Sequence, residues 1–208
     1  SKSLAGSILC HRRYRFETLP YALGWHDVQR LINTATGGTE VDVRDRAILL
    51  LLAIYGLRRG EVAALRLEDI DRERGHIRVW RLKRHQPQIY PLVSSVEQAL
   101  TLYIETARPS VAQAQLFIRT RSPRVPISAP GIYDVVNRRL RSLGVQAAHL
   151  GPHALRHACA SKMLAEGLTL KEIGDHLGHR SAASTSIYAK VDLAGLRQVG
   201  EFDLGGLQ

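Results

Sequence analysis

The feature that most limits how this chain can fold is its longest apolar run, AILLLLAIY at residues 47–55. Gly56, a residue that favours helix ends, follows it directly. The run is about half as long as a helix that spans a bilayer. We therefore expect a buried core helix from about Asp42 to Tyr55. A chain of 208 residues is long enough to surround it with one domain, or at most with two small ones.

Shorter segments lie around this core helix. Further helices are predicted at 25–36, after Arg58, from a cap at Ser95, from Ser128 to near Gly144, from Pro152 to Gly167, from the capping box of Thr169 and Glu172 to Gly178, and from Ser181 or Ser184 with Tyr188 on the last one. The β-rich runs 76–82 and 88–93 predict a hairpin with a basic tip, and 114–118 a further strand. The expected fold class is α+β, mainly α-helical with a small antiparallel β-sheet.

The charge of the chain points to a polyanionic partner, for which nucleic acid is the usual candidate. Lysine and arginine total 29 against 19 acidic residues, a formal net charge of +10. Most of these cations are arginines, which suit bidentate contacts with phosphate. The alternative is a soluble basic protein without such a partner. Cys10 and Cys159 are too few for a disulfide framework, which favours a reducing compartment.

The segment GPHALRHACAS at 151–161 concentrates cations at the start of a helix. His153, Arg156 and His157 are three and four residues apart and so share one helical face. The helix N-terminus adds partial positive charge there, and a bound phosphate would offset the repulsion. One alternative is a zinc pair of His153 and His157, although the glutamate that a metalloprotease places between them is absent. The other is surface histidines beside an incidental arginine.

Two further clusters carry candidate chemistry. In YGLRRGEVAALRLEDID at 55–71, Arg58 and Arg59 lie at a break between helices, and Glu61 could hold a guanidinium in place; a solvated charged turn is the alternative. In LGHRSAASTSIYAKV at 177–191, Tyr188 follows His179 by nine residues. A core tyrosine is one alternative there, and a helix-turn-helix DNA reader over 169–190 is another.

Taken in order, these residues resemble the catalytic domain of the tyrosine recombinase (phage integrase-like) family. That family carries an arginine in a G-L-R-x-x-E context, a lysine on a β-hairpin, H-x-x-R, L-G-H, and a tyrosine nine residues later. The matching positions are Arg58 in GLRRGE, Lys83 in RLKRHQPQIYPL, His153 and Arg156 in HALRH, His179 in LGH, and Tyr188 in IYAKV. The resemblance covers roughly residues 20–195. The hairpin departs from the family pattern, because KRHQPQ replaces the commoner turn rich in glycine and lysine.

The resemblance implies the fold of that catalytic domain and a role for each matching residue. Tyr188 would attack a DNA phosphate and form a 3′-phosphotyrosyl intermediate, while Arg58, Arg156 and His179 bind the phosphate oxygens. His153 would accept the tyrosine proton or order the site, Lys83 would protonate the leaving 5′-oxygen, and Glu61 would support Arg58. No cofactor is expected, neither metal nor ATP. The candidates for further DNA contacts are Arg59, Arg81, Arg84, Arg138, Arg139 and His157.

The resemblance also suggests how the chain is organised and where it works. We expect residues 1–20 to be a linker or the remnant of a missing DNA-binding region, and residues 21–208 to be the catalytic domain with a C-terminal tail at 189–208. The expected partner is double-stranded DNA, bound by a homotetramer whose free protein is a monomer. The tail is either a contact between protomers or folds back on its own domain. No membrane is expected, and the location is cytoplasmic and nucleoid-associated. The alternative functions are relaxation of DNA by a type IB topoisomerase-like enzyme, and DNA binding without catalysis.

Overall fold

The computed structural model describes residues 23–81, 86–144 and 151–178 of the chain. In these ranges the helices are α1 (Trp25–Asn33), α2 (Glu40–Ile54), α3 (Arg59–Ala64), α4 (Ser94–Leu102), α5 (Ala129–Ser142), α6 (Pro152–Ala165) and α7 (Leu170–Leu177). The strands are β1 (Ile70–Asp71), β2 (His76–Arg81) and β3 (Gln86–Pro91). A 3₁₀ turn (Leu67–Asp69) precedes β1, and a π-helical turn (Tyr103–Ala107) continues α4. The predicted fold class, mainly helical with a small antiparallel sheet, is confirmed.

Helix α2 is the centre of the core, as its apolar sequence predicts. It is buried over 47–53 and packs against α1, α4, α5 and α6. A capping box starts it: the Thr39 hydroxyl accepts from the Asp42 N–H, and the Asp42 carboxylate accepts from the Thr39 N–H. It ends at Ile54, with Tyr55 as its C-terminal cap residue, and the next residue, Gly56, has a φ of +58°. A Cβ there would lie 2.5 Å from Leu177 Cδ2, so the end of α2 lies directly against the end of α7.

The sheet is antiparallel in the order β1-β2-β3. Pairing runs from His76↔Pro91 to Arg81↔Gln86, which confirms the predicted hairpin strands. Alternation along β2 places Ile77, Val79 and Arg81 on the buried face. The tip of the hairpin, 82–85, lies outside the described residues. Strand β1 is a short addition to the hairpin that the sequence analysis did not predict.

Two predicted local features are wrong. Ser95 does not cap α4, because the helix begins one residue earlier, at Ser94, with Val93 at the cap position. The Tyr55 hydroxyl fixes this start: it donates to Pro91 O at 2.7 Å and accepts from the Val93 N–H at 3.1 Å. The chain entering α4 is therefore held by the core helix and not by a serine cap.

Residues 114–118 do not form a strand either. They make only single bridges, Arg66↔Gln115 and Ile118↔Pro126. Side chains take up much of the remaining hydrogen bonding, since the Ile118 N–H donates to the Tyr103 hydroxyl and the Arg108 guanidinium donates to carbonyl groups of this segment. The segment is therefore buried without a ladder of its own.

Within residues 23–81, 86–144 and 151–178, no helix is both long enough and apolar enough to cross a membrane.

Candidate active site

The C-terminal end of α7 is surrounded by arginines from three other parts of the fold. The last carbonyl groups of a helix lack partners within it and form the negative end of its dipole, so cations are stable there. The contacts are Arg81 Nη2 to His176 O at 2.7 Å, Arg156 Nη2 to Leu177 O at 2.7 Å and Arg58 Nη2 to Gly178 O at 3.5 Å. The next residue in the chain is His179. Guanidinium groups from β2, from α6 and from the α2–α3 junction therefore meet at the turn that leads to it.

Arg58 is fixed by Glu61, as the GLRRGE pattern suggests. Arg58 is the cap residue of α3; its backbone N–H donates to Glu61 Oε2 and its Nη1 to Glu61 Oε1, both at 2.8 Å. The Glu61 side chain is buried, whereas 27% of the Arg58 side chain is exposed. A carboxylate at a helix N-terminus is also favoured by the dipole. Arg58 is thus pre-positioned yet still open to a ligand from solvent.

Arg156 is held more deeply, in the second turn of α6. It is 3% exposed and donates from Nη1 to Gly56 O and from Nη2 to Leu177 O. The end of α2 and the end of α7 are therefore joined through this guanidinium. Both of these acceptors are backbone carbonyl groups at helix ends, so the contacts attach Arg156 to the main chain of two helices.

His153 and His157 form a pair in contact on the first turns of α6. Their rings meet edge to face, with centroids 4.8 Å apart and an interplanar angle of 79°. His153 is exposed and His157 is half-buried. Burial, together with the nearby His153 and Arg156, lowers the pKa of His157 to about 4, so its ring is neutral at physiological pH.

The remaining candidate catalytic residues, Lys83, His179 and Tyr188, lie outside the described residues, as does Arg84. Among the residues that are described, the structure brings together Arg58, Glu61 and Arg156 around the end of α7, with His153 on the same helix as Arg156. No group of three or more His, Cys, Asp or Glu side chains in the described ranges could hold a metal ion.

The candidate DNA contacts differ in how much they are exposed. Arg59 is exposed, and Arg138 is exposed while bonded to the buried Asp45 at 2.7 Å. Arg139 is largely internal: its guanidinium donates to Thr34 O, Asp42 and Asp45. Arg81 is 1% exposed, and its contact with His176 O is an internal one. The period-2 pattern of β2, with Ile77 and Val79 on the face of Arg81, is the sequence signal that could have placed Arg81 inside.

The chain was compared with models of known protein families. Residues 22–194 match the phage integrase family. The chain belongs to this family. The match includes all the residues that carried the resemblance, from Arg58 to Tyr188.

Relatives of this phage integrase family member include integrases and recombinases from several bacteria. The chain is 38% identical to the integrase/recombinase-named protein y4rA of Sinorhizobium fredii, over 95% of this chain and 48% of y4rA. It is 35% identical to tyrosine recombinase XerC of Thermodesulfovibrio yellowstonii, over 87% of this chain and 61% of that protein. The chain thus spans about half to three fifths of the length of these relatives.

Solved structures of recombinases share the fold. XerA recombinase superposes with a TM-score of 0.75 and 28% identity, covering 89% of this chain and 64% of XerA. XerH site-specific recombinase, in its post-cleavage complex with palindromic difH substrate, gives a TM-score of 0.72 and 22% identity over 87% of this chain and 52% of XerH. The architecture around α7 is therefore that of a recombinase catalytic domain.

Proposed function

We propose that this integrase-family protein cleaves and rejoins double-stranded DNA at specific sites through a 3′-phosphotyrosyl intermediate. The family match and the recombinase relatives support this class of reaction. The net charge of +10 suits a polyanionic substrate. The described catalytic core is the part of the fold in which the reaction would take place.

The observation that carries the proposal is the convergence of Arg58 and Arg156 on adjacent carbonyl groups, Gly178 O and Leu177 O, directly before His179. A phosphodiester already bears one negative charge, and an attacking oxygen adds a second to the non-bridging oxygens. Two guanidinium groups fixed near one point can bind both oxygens in the transition state, which is the preorganised electrostatic stabilisation that phosphoryl transfer needs.

The steps of the reaction follow from the residue types. The Tyr188 oxygen forms a bond to phosphorus, and the bond from phosphorus to the 5′-oxygen breaks. The phenol, whose ordinary pKa is about 10, loses its proton to His153, while Lys83 gives a proton to the departing 5′-oxygen. His179 donates a hydrogen bond to the phosphate. A 5′-hydroxyl of another strand then attacks the phosphotyrosine and releases Tyr188, so the bond energy is conserved and no ATP is consumed.

The proposal extends to assembly. Four protomers would act together on two DNA duplexes, with the tail at 189–208 as a contact between neighbours. Such a protein works where its target DNA lies, which in a bacterium is the nucleoid within the cytoplasm. Sedimentation of the protein with and without a target duplex tests the assembly.

The decisive experiment is trapping of the covalent intermediate. A target duplex selected from random DNA for binding is nicked next to the cleavage position, so that the released fragment diffuses away. Denaturing gel electrophoresis should show a protein–DNA adduct with the natural protein and none with Tyr188→Phe, although both bind the intact duplex equally. No adduct on any bound duplex would refute the proposal. Ligation of the trapped strand to a second duplex separates strand exchange from relaxation by a topoisomerase.

A further inference from the structure

Arg81, at the end of β2, joins three separate parts of the core through one buried guanidinium. Its Nη1 pairs with Glu61 Oε2 at 2.7 Å, its Nη2 donates to His176 O at 2.7 Å and its Nε donates to Gln88 Oε1 at 2.8 Å. Each arm reaches a different element: α3, the end of α7, and β3. The side chain is 1% exposed, so these contacts are made away from solvent.

Glu61 is shared between Arg81 and Arg58. One carboxylate oxygen accepts from Arg58 Nη1 at 2.8 Å and the other from Arg81 Nη1 at 2.7 Å, and the carboxylate itself is 1% exposed. A buried carboxylate is stable when opposite charges and hydrogen bonds satisfy it. If Arg81 were lost, Arg58 would be the one counter-ion left to Glu61 among the described residues, and the carboxylate could rotate toward it. The orientation of Arg58 therefore depends on Arg81.

The end of α7 depends on Arg81 as well. His176 O also accepts from the Tyr90 hydroxyl, and Gln88 Nε2 donates to Asp175 O at 2.9 Å. A Cβ placed on Gly178 would lie 2.8 Å from Arg81 Nε, so the guanidinium fills the space beside the last turn. The sheet thus fixes the turn from which His179 continues.

We infer that Arg81 is a positioning residue for strand cleavage: its guanidinium sets Glu61, and through it Arg58, against the C-terminal end of α7, without touching DNA. This inference rests on the proposed function. It replaces the sequence-based prediction of Arg81 as a DNA contact with an internal role.

The test compares Arg81→Gln with Arg78→Gln. Arg78 lies three residues earlier on the same strand, but its ion pair with Asp69 is at the surface, with 51% of the arginine side chain exposed. For each variant we measure the single-turnover cleavage rate at saturating protein, the DNA dissociation constant and its salt dependence, and the melting temperature. Arg78→Gln should match the natural protein in cleavage rate.

Arg81→Gln should cleave about 10²-fold more slowly, the size of effect expected when a catalytic group is misplaced by about 1 Å. Its DNA affinity and salt dependence should stay unchanged. Arg81→Lys should recover part of the rate, because an ammonium can still pair with Glu61 but cannot reach His176 O and Gln88 together. This rescue, and a loss confined to the rate, would not arise from a merely structural role. If Arg81→Gln does not fold, Arg81→Lys carries the same test with a smaller expected loss.

Three results would overturn the inference. An unchanged cleavage rate in both Arg81 variants would show that positioning does not need the guanidinium. A loss in affinity with a salt slope lower by about 1 would identify a direct phosphate contact instead. If the natural protein forms no adduct, the proposed function fails and the inference fails with it. If the natural protein cleaves DNA and the Arg81 variants cleave it equally fast, the inference alone is refuted.

Discussion

At the scale of single residues, two of the three arginines next to α7, Arg156 and Arg58, differ in how deeply they are buried. Arg156 is 3% exposed and bonds two carbonyls, whereas Arg58 keeps 27% of its side chain in contact with solvent. A lysine at either position retains a charge but loses the planar set of donors. The two replacements should therefore affect stability unequally while both slow cleavage.

We expect Arg156→Lys to lower the free energy of unfolding by about 1–3 kcal/mol, because one of its buried carbonyl acceptors would be left without a donor. Arg58→Lys should change stability less, since Glu61 and solvent can satisfy its ammonium. Urea denaturation measures both. Equal losses of stability would show that the burial of Arg156 has no energetic consequence. Cleavage should be slower by about 10²–10³ in each variant, in line with removal of a preorganised donor.

The acid that protonates the leaving 5′-oxygen can be identified chemically. Lys83→Ala should slow cleavage of normal DNA by about 10²–10⁴, the range for a positioned general acid. A substrate with sulfur at the bridging 5′ position has a leaving group that needs no proton, so Lys83→Ala should cleave it nearly as fast as the natural protein. Arg58→Ala should stay slow on it. His85, two residues after Lys83 in the sequence, is the other candidate acid. If sulfur restores cleavage by His85→Ala and not by Lys83→Ala, the acid is His85.

At the scale of elements, the packing at the end of α7 predicts that position 178 requires glycine. Gly178 and Gly167 both have positive φ, +65° and +88°, but only at Gly178 would a Cβ meet a neighbour, Arg81 Nε at 2.8 Å. Alanine at either position should lower the free energy of unfolding by about 1–2 kcal/mol through backbone strain. Gly178→Ala should lower it further and also slow cleavage, whereas Gly167→Ala should cleave normally. Equal cleavage rates, measured well below melting, would contradict the close packing at α7.

The sequence predicts those elements whose signals are local. Thr169 and Glu172 form the expected capping box of α7, and Ser128 caps α5 through the Gly131 N–H. What it misses depends on distant partners. The start of α4 is set by the Tyr55 hydroxyl, 38 residues away from Val93. A sequence pattern contains no information about such a partner until the fold brings it close.

In the candidate site, too, contacts between residues close in sequence are predictable and contacts with distant residues are not. Arg58 and Glu61 are three residues apart in the sequence. Arg58 Nη1 donates to Glu61 Oε1 at 2.8 Å, the contact expected if Glu61 supports Arg58. The second partner of Glu61, Arg81, lies 20 residues further along the chain and on another element. Arg139 similarly looked like a surface cation, because the buried carboxylate that holds it, Asp45, is 94 residues away in the chain.

At the scale of the whole molecule, two histidines make stability depend on pH. Burial, with Arg81 and Arg156 nearby, lowers the pKa of His176 to about 4 from its ordinary 6.5, and the pKa of His157 is likewise about 4. The unfolded chain therefore binds more protons than the folded one between about pH 6.5 and pH 4, and stability falls as pH drops through this window. In a His157→Gln, His176→Gln double variant this decline should be shallower. Urea denaturation at several pH values gives the slope of the free energy of unfolding against pH for each protein. Identical slopes would show that the two histidines are not the cause of the pH dependence.

The net charge of +10 also acts on the molecule as a whole. We expect DNA binding by this chain to depend steeply on salt, because each neutralised phosphate adds about 0.9 to the slope of log K against log salt. Arg59→Gln should reduce that slope by about 1, since its side chain is exposed. Arg139→Gln should leave the slope unchanged and lower stability, because its guanidinium is engaged with Asp42 and Asp45. Filter binding over a range of salt concentrations measures the slope for each of the two variants.

The contacts at the end of α7 determine when, during synthesis, this part of the protein can fold. Arg58 and Arg81 meet α7 across 120 and 95 residues of sequence, so both contacts close only after nearly all of the described chain has been synthesised. A nascent chain on the ribosome carries Arg58 and Arg81 long before it carries α7. Translation interrupted before that point therefore yields fragments without the arginine cluster at α7, and under the proposed function we expect such incomplete products not to cleave DNA.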